Sequence, residues 1–267
     1  MRIAIVGGTH GNEPVGVEVV KALRLKQPKS PYHSYKTFLG NPEAIEQKKR
    51  FIDSDLNRAF GKRGQPKGVE LERSKTLKNE LIGNFDLVLD LHTTTSNMGL
   101  TAILNNTHSV TRQTSCFLKS KIKDFKLIEE NNLDEDCTHL NRLAPAGVTI
   151  EVGPVANNVL SGDLVLKTYS IVLSILNWDF QEQFDYSKTE VFKTEKTIYF
   201  PDESGWYIHP NLENKDFKVL KNGDPLFIDV SGNTIDHQSN LELYPFFINE
   251  AAYLDDKSAM ILAKKIN

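Results

Sequence analysis

The sequence predicts an α/β fold: an α/β sandwich around a mostly parallel or mixed sheet, followed by a smaller, mainly β C-terminal domain. Up to about residue 185, short apolar runs rich in β-branched residues alternate with segments of helical periodicity. Such an alternation is typical of strands and helices that build one layered domain. Beyond that point, β-rich pieces are separated by turn sequences such as NGDP at 222–225. We therefore predict domains over 1–185 and 186–267.

Each predicted element rests on the spacing of its apolar residues and on the residues at its ends. Pro14 suits the first turn of a helix, and the run at 87–92 is almost continuously apolar, as expected of a strand buried on both faces. The final helix is predicted to turn four side chains inward: Leu166, Tyr169, Leu173 and Leu176. In order, the predicted elements are strands over 2–6, 37–40, 87–92, 101–104, 126–128 and 149–152, and helices over 15–25, 68–82, 110–122 and 163–180.

The composition of the 267 residues excludes several classes of protein. A net charge of −3 gives no electrostatic reason to expect nucleic acid or an anionic membrane as a partner. Gly7 interrupts the N-terminal apolar run too early for a secretory signal, and no apolar stretch approaches transmembrane length. Two cysteines, Cys116 and Cys137, are too few for a disulfide framework. We predict a cytoplasmic location.

The loop after the first strand offers two metal-ligand side chains, His10 and Glu13. They lie three residues apart at a strand-to-helix junction, so both side chains can converge on one point at a strand end, where open α/β sheets bind ligands. A histidine nitrogen and a carboxylate oxygen are ordinary zinc ligands. A lone His-x-x-Glu also occurs often by chance. The glycines here do not fit a nucleotide-binding loop, since neither Gly-x-Gly-x-x-Gly nor Gly-Lys-Ser/Thr is present.

His92 stands at the end of the strongest predicted strand and is the candidate third zinc ligand. Three protein ligands are typical of a catalytic zinc site, which keeps one position open. Asp90, two residues earlier on the same strand, is placed to hydrogen-bond the imidazole of a ligand histidine. The structural alternative is a polar histidine at a strand end and an aspartate that satisfies nearby backbone donors.

Glu151 interrupts an otherwise apolar strand, where an unpaired carboxylate is costly. It can serve as a general base that takes a proton from water and returns it to a departing amine, or it can be the ion-pair partner of Arg58 or Arg142. Arg50 and the polar run at 53–58 form a second candidate cluster. Arginine binds carboxylates through a planar fork and stabilises a developing oxyanion, although a solvated surface loop has the same composition.

Six stretches carry a resemblance that spans nearly the whole chain. They are GGTHGNE at 7–13, RFIDSDLNRAF at 50–60, DLHTTTSNMG at 90–99, GVTIEVGP at 147–154, HPNLENKDF at 209–217 and YPFFINEAAYLDDKSA at 244–259. With these blocks in this order, the chain resembles the aspartoacylase family of zinc amidohydrolases, which is related to the zinc carboxypeptidases and to succinylglutamate desuccinylase. The resemblance implies a zinc-carboxypeptidase-like α/β/α sandwich with a C-terminal domain that walls the substrate channel.

The resemblance also implies a role for each matching residue. His10, Glu13 and His92 would bind one zinc ion per subunit. Glu151 would be the catalytic acid and base, and Arg50 would polarise the scissile carbonyl and stabilise the oxyanion. A further group would hold the amino-acid half of the substrate: Asn57, Arg58, Arg142, Tyr253 and Lys257. Since members of the family are dimers or larger, we expect a homo-oligomer.

One segment departs from the family pattern. Aspartoacylases carry a tyrosine and then an arginine upstream of the catalytic glutamate, whereas the segment 137–142 contains no tyrosine and Arg142 lies one residue closer to Glu151. We carry Arg142 over as the ligand of the substrate's side-chain carboxylate. The predicted reaction is hydrolysis of N-acetyl-L-aspartate to acetate and L-aspartate. The alternatives are an aminoacylase acting on N-acyl aromatic amino acids, a succinylglutamate desuccinylase, and a non-catalytic binding protein of the same fold.

Overall fold

The computed structural model describes residues 1–130 and 137–267. The predicted strands and helices are all present, with ends that differ by a few residues, and the short helix α2 is additional. The helices are α1 (Pro14–Lys26), α2 (Pro42–Gln47), α3 (Gly68–Leu81), α4 (Ser109–Lys121) and α5 (Gly162–Leu176). The strands are β1 (Arg2–Gly7), β2 (Ser34–Leu39), β3 (Leu87–Thr93), β4 (Leu100–Leu104), β5 (Lys126–Glu129), β6 (Ala146–Val152), β7 (Val191–Tyr199), β8 (Tyr207–Ile208), β9 (Pro225–Ile228), β10 (Thr234–Asp236), β11 (Tyr244–Phe246) and β12 (Ser258–Ile266).

Nine strands of the described residues form one mixed sheet in the order β11-β12-β7-β5-β4-β6-β3-β1-β2. The neighbours β2, β1, β3 and β6 all run parallel, while β4 runs antiparallel to β6. Because β1, β3 and β6 are adjacent and parallel, their carboxyl ends meet at the same edge of the sheet. The residues that follow these strands are therefore brought together, as is usual for the sites of open α/β sheets.

The side chains of β1 alternate between two cores on opposite faces of the sheet. Ile3 packs with residues of α1, α4 and α5, whereas Ala4 packs with residues of α3 on the other face. Helices thus cover both faces, which confirms the predicted sandwich. Helix α1 passes so close to β1 that a Cβ added to Gly7 would lie 2.1 Å from the carbonyl oxygen of Gly16, so this crossing requires glycine.

The prediction for the inward face of the last helix was wrong in part. Leu166 is 71% exposed, whereas Leu164, Ile171 and Ile175 are buried in the core. Helix α5 is apolar over most of its circumference, so its periodicity defines no single stripe. Packing against the sheet selects the buried face, and that choice depends on tertiary structure.

The C-terminal third is mainly β, as its turn sequences predict. Strands β7, β12 and β11 extend the large sheet beyond β5, and β8, β9 and β10 form a small antiparallel sheet. A separate apolar cluster that includes Leu220, Phe227 and Met260 fills the space between them. None of the helices described is both long and apolar enough to cross a membrane.

Candidate active site

Four side chains that the sequence singles out meet where three adjacent parallel strands end. His10 and Glu13 lie in the loop between β1 and α1, and His92 is the last but one residue of β3. Glu151 is the last but one residue of β6 and is the direct register partner of His92. None of the four is more than 7% exposed, so their charges interact in a largely water-free environment.

His10, Glu13 and His92 form a cluster of potential metal ligands. The Glu13 carboxylate bridges the two rings: Oε1 is 2.6 Å from His10 Nδ1, and Oε2 is 3.0 Å from His92 Nδ1. Potential ligand atoms of the three residues all lie within 4.8 Å of one another. The backbone N–H of Thr93 also donates to Glu13 Oε2, at 2.9 Å, and helps to hold the carboxylate in place.

The outer nitrogen of each ring is held by a second carboxylate. Asp90 Oδ2 lies 2.8 Å from His92 Nε2, so the hydrogen bond that the sequence predicts is present. Asp55 Oδ1 lies 3.1 Å from His10 Nε2. Sequence reasoning placed Asp55 in a polar cluster without a role, and its position within the block at 50–60 was the available signal. These contacts fix both ring orientations so that Nδ1 faces Glu13.

The buried charges of the cluster stabilise one another. Burial alone would raise the pKa of Glu13, but its charge interactions and hydrogen bonds with His10 and His92 hold that pKa well below its ordinary value. Burial alone would lower the pKa of His92, but Asp90 and Glu13 raise it well above its ordinary value. The charged form of the Glu13 carboxylate is therefore favoured between the two imidazoles, which suits a cation-binding centre.

The pKa of Glu151 is shifted in the opposite direction from the pKa of Glu13. Burial raises its pKa well above the ordinary value, and the negative charges of Glu13 and Glu250 add to that effect against the opposing influence of His92 and Arg50. A carboxyl group with a raised pKa can both accept and donate a proton near neutral pH. Its position beside the ligand cluster makes it the candidate acid–base group, as predicted.

Two arginines line the cavity next to this cluster. Arg50 Nη1 lies 3.6 Å from Glu13 Oε1, and its Nη2 donates to Asp55 Oδ2 at 3.1 Å. Arg58 donates to the carbonyl oxygen of Asn57 at 3.0 Å and forms no ion pair with a carboxylate of the described residues. Asn57 accepts the N–H of Leu140 with Oδ1, at 2.9 Å, which leaves its Nδ2 available. Arg58 and Asn57 therefore present free donors to a ligand.

Residues from the C-terminal strands and from the turn that carries Tyr253 complete the cavity. Tyr253 lines it as predicted, and burial raises the pKa of its hydroxyl, which keeps the phenol neutral. Glu250 also lines it and was not predicted as a site residue. Its carboxylate accepts hydrogen bonds from the Thr94 hydroxyl and from the N–H groups of Thr95 and Ser96. Glu250 thus ties the C-terminal region to the loop after β3.

Two residues assigned by resemblance to substrate binding lie outside this cavity. Arg142 borders a separate depression with Phe60 and Lys78, and one of its nitrogens lies 3.4 Å from the carbonyl oxygen of Asn105. Lys257 is exposed on a turn, where its Nζ lies 3.2 Å from Asp202 Oδ1. The structure therefore brings together His10, Glu13, Arg50, Asn57, Arg58, His92, Glu151 and Tyr253, but not Arg142 or Lys257.

Comparison with known proteins assigns the chain to a family. The sequence profile described as "Succinylglutamate desuccinylase/Aspartoacylase catalytic domain" matches residues 1–178. The chain belongs to the succinylglutamate desuccinylase/aspartoacylase family. A second profile, the AstE/AspA barrel-sandwich hybrid domain, matches residues 187–265. The resemblance carried by the six sequence blocks is thereby confirmed.

Relatives that align over nearly their whole length are named after activities on two different classes of substrate. A probable aspartoacylase from Trichodesmium erythraeum is 36% identical over 99% of this chain and 97% of its own length. The N-acyl-aromatic-L-amino acid amidohydrolase (carboxylate-forming) B of Danio rerio is 32% identical over 99% of this chain and 93% of its own length. The crystal structure of murine aminoacylase 3 matches with a TM-score of 0.89 at 29% identity, covering 100% of this chain and 95% of that chain.

Proposed function

We propose that this protein is a zinc-dependent amidohydrolase that cleaves N-acyl-L-amino acids into a carboxylate and a free amino acid. The convergence of the His10–Glu13–His92 cluster, Glu151 and Arg50 on one cavity carries this proposal. The names of the relatives support the same reaction class, because both aspartoacylases and N-acyl-aromatic-L-amino acid amidohydrolases hydrolyse an N-acyl amide bond.

The residues present fit zinc. Two imidazole nitrogens and one carboxylate are a typical catalytic donor set for this ion. Asp55 and Asp90 hold the outer nitrogens of the rings, as carboxylates do in zinc sites. When bound, zinc supplies Lewis acidity, which activates water and polarises a carbonyl group. We expect His10, Glu13 and His92 to hold one zinc ion per subunit.

The remaining chemistry belongs to the protein's own side chains. Glu151 removes a proton from the attacking water and delivers it to the amide nitrogen as the C–N bond breaks. Arg50 stabilises the negative charge that develops on the acyl oxygen during the attack. Tyr253 lines the same cavity and encloses the substrate from the C-terminal side.

The two substrate classes named by the relatives remain candidates for this chain. N-acetyl-L-aspartate, the substrate predicted from the sequence, is supported by the relatives that are named aspartoacylase or probable aspartoacylase. An N-acyl aromatic amino acid is favoured by the apolar part of the cavity wall and by the position of Arg142 outside the cavity. The apolar wall consists of Ile103, Ile128, Phe246, Phe247 and Ile261.

The decisive assay measures acetate release from N-acetyl-L-aspartate and N-acetyl-L-tyrosine, each with and without a zinc chelator. We expect release that the chelator abolishes and that added zinc restores, because the metal supplies the Lewis acidity on which the proposed reaction depends. Release that persists in a protein shown to be metal-free would contradict the zinc requirement. No release of acetate from any N-acetyl amino acid by the zinc-loaded protein would contradict the proposed reaction.

Arg58 and Asn57 are the groups that we assign to the substrate's α-carboxylate. Replacing Arg58 with alanine should lower kcat/KM by about tenfold to a hundredfold, mainly through KM, since a hydrogen bond to a charged group is lost. The control is the same N-acetyl amino acid with its α-carboxylate converted to an amide. On that compound the wild type and the Arg58→Ala variant should be equally poor, and an equal loss on both compounds would contradict the assignment.

Replacing Arg142 with alanine tests whether this residue binds the substrate. Because Arg142 does not line the cavity, we expect kcat/KM for N-acetyl-L-aspartate to change by no more than about twofold, as is usual for residues without a contact to substrate. A collapse of activity on N-acetyl-L-aspartate with unchanged activity on N-acetyl-L-tyrosine would restore the role that the resemblance implies for Arg142.

The homo-oligomeric state and the cytoplasmic location also stay predictions. Analytical ultracentrifugation of the purified protein tests the first, and cell fractionation tests the second.

A further inference from the structure

A second polar cluster lines the catalytic cavity and has no part in the reaction described above. It consists of Asn105, Glu130, His139 and Thr149, which come from the residues after β4 and β5, the segment before β6, and β6 itself. Sequence reasoning singled out none of the four. Since the cavity must hold the side chain of the amino-acid half as well as the amide, a polar group that the chemistry leaves unused is a candidate side-chain subsite.

Hydrogen bonds among its members and to the buried Asn141 hold this cluster in place. Asn105 Nδ2 donates to Glu130 Oε2 at 2.5 Å and to His139 Nδ1 at 2.8 Å. The buried Asn141 donates with Nδ2 to Asn105 Oδ1 and to Thr149 Oγ1, the latter at 3.0 Å. The two amide nitrogens are thus used within the network, whereas no hydrogen bond of the described residues reaches Oε1 of the cavity-lining Glu130. One carboxyl oxygen is left over as an acceptor, and the neutral His139 keeps a donor on Nε2, so the cluster complements a ligand that both donates and accepts hydrogen bonds.

The charges of the cluster disfavour a carboxylate ligand. Arg50 and Arg58 are the arginines that line the described part of the cavity, no lysine lines it, and both arginines already have assigned roles. Glu130 contributes a carboxyl group, and His139 is neutral at physiological pH because burial and Arg58 lower its pKa to about 3. A substrate carboxylate would therefore lie beside the Glu130 carboxyl group, whose side chain is 29% exposed, without a cation of its own, which is unfavourable.

We propose that the Asn105–Glu130–His139–Thr149 cluster is the side-chain subsite and that it takes an uncharged, hydrogen-bond-donating side chain, a carboxamide such as that of asparagine, in preference to a carboxylate. Glu130 is the residue that sets this preference, because it accepts the N–H groups of the carboxamide and repels the carboxylate of the otherwise isosteric aspartate. The inference rests on the proposed function and narrows its substrate class.

The experiment compares kcat/KM for N-acetyl-L-asparagine and N-acetyl-L-aspartate, which differ only in the amide and the carboxylate. The zinc-loaded wild type should prefer the asparagine compound by about tenfold or more, given the cost of adjacent like charges. Replacing Glu130 with glutamine should reduce this ratio towards one. The matched control is Glu129→Gln, on the preceding residue, since Glu129 lies outside the cavity and interacts with Arg112 and Tyr186. That control should keep the wild-type ratio.

Each outcome separates the inference from the function on which it rests. A preference for the aspartate compound, or an unchanged ratio in the Glu130→Gln variant, overturns the subsite assignment while the hydrolysis itself stands. A Glu129→Gln variant that changes the ratio as much as Glu130→Gln also overturns it. If neither compound nor N-acetylglycine is hydrolysed, the proposed function fails, and the inference fails with it.

Discussion

Replacing Glu151 with glutamine should lower kcat by about 10²–10⁴-fold, the usual contribution of a general acid–base group. Glutamine keeps the shape of the side chain but can neither accept a proton from water nor deliver one to the amide nitrogen. Because Glu151 is not among the clustered ligand atoms of His10, Glu13 and His92, the zinc content should stay at one ion per subunit. Steady-state turnover and metal analysis of the same preparation check both expectations.

The folding stability of this variant serves as its control. Burial raises the pKa of Glu151, so the charged form is disfavoured in the native state, and a neutral glutamine should not lower the thermal unfolding temperature. A variant that folds normally, keeps its zinc and turns over at nearly the wild-type rate would show that another group transfers the proton. A variant that loses its zinc would show that Glu151 is a ligand.

Replacing Glu13 with glutamine should remove both the bound zinc and the activity. The Glu13 carboxylate lies between the two imidazoles and is the negative charge on which both rings converge. A neutral amide is a much weaker zinc ligand than a carboxylate, and two histidines alone do not make a catalytic zinc site. We expect zinc content well below one ion per subunit after dialysis, and activity reduced in proportion to the lost metal.

A glutamate on the exposed side of the helix that follows Glu13 provides the comparison for this residue. Glu18 lies on α1 and pairs with Lys21 at the surface, so Glu18→Gln should retain full zinc content and activity. Restoration of Glu13→Gln activity by high zinc concentrations would agree with weakened metal binding. A Glu13→Gln protein that retains one tightly bound zinc ion would contradict the ligand assignment.

Most of the fold and the centre of the site follow from local sequence. The apolar runs of β1, β3 and β6 are continuous enough to be recognised as buried strands. In an α/β sheet the residues that follow such strands collect at one edge, so His10, His92 and Glu151 were predictable as neighbours from their positions at strand ends. The strand ends and the ligand chemistry of the side chains made these residues candidates, and the resemblance to the family supplied their predicted roles.

Long-range packing decided what the sequence alone left open. The buried face of α5 depends on how the helix meets the sheet, because its sequence is apolar on most sides. Glu250 lines the cavity and accepts hydrogen bonds from the loop after β3, which is more than 150 residues away in the chain. Sequence spacing carries no information about such a contact, since the energy that fixes it belongs to residues far apart in the chain.

Arg142 shows most clearly the difference between what the sequence predicts and what only the tertiary structure decides. The sequence by itself indicated the candidate metal ligands His10, Glu13 and His92, the candidate acid–base group Glu151 and the strands that carry them, and the structure brings these four side chains together. Whether Arg142 reaches the substrate depends on the path of the segment before β6, where a difference of one residue changes which side chain faces the cavity. His139 lines the cavity and Arg142 does not. The tertiary structure therefore decided which side chains of this segment line the cavity, since that depends on which neighbouring elements pack against the segment.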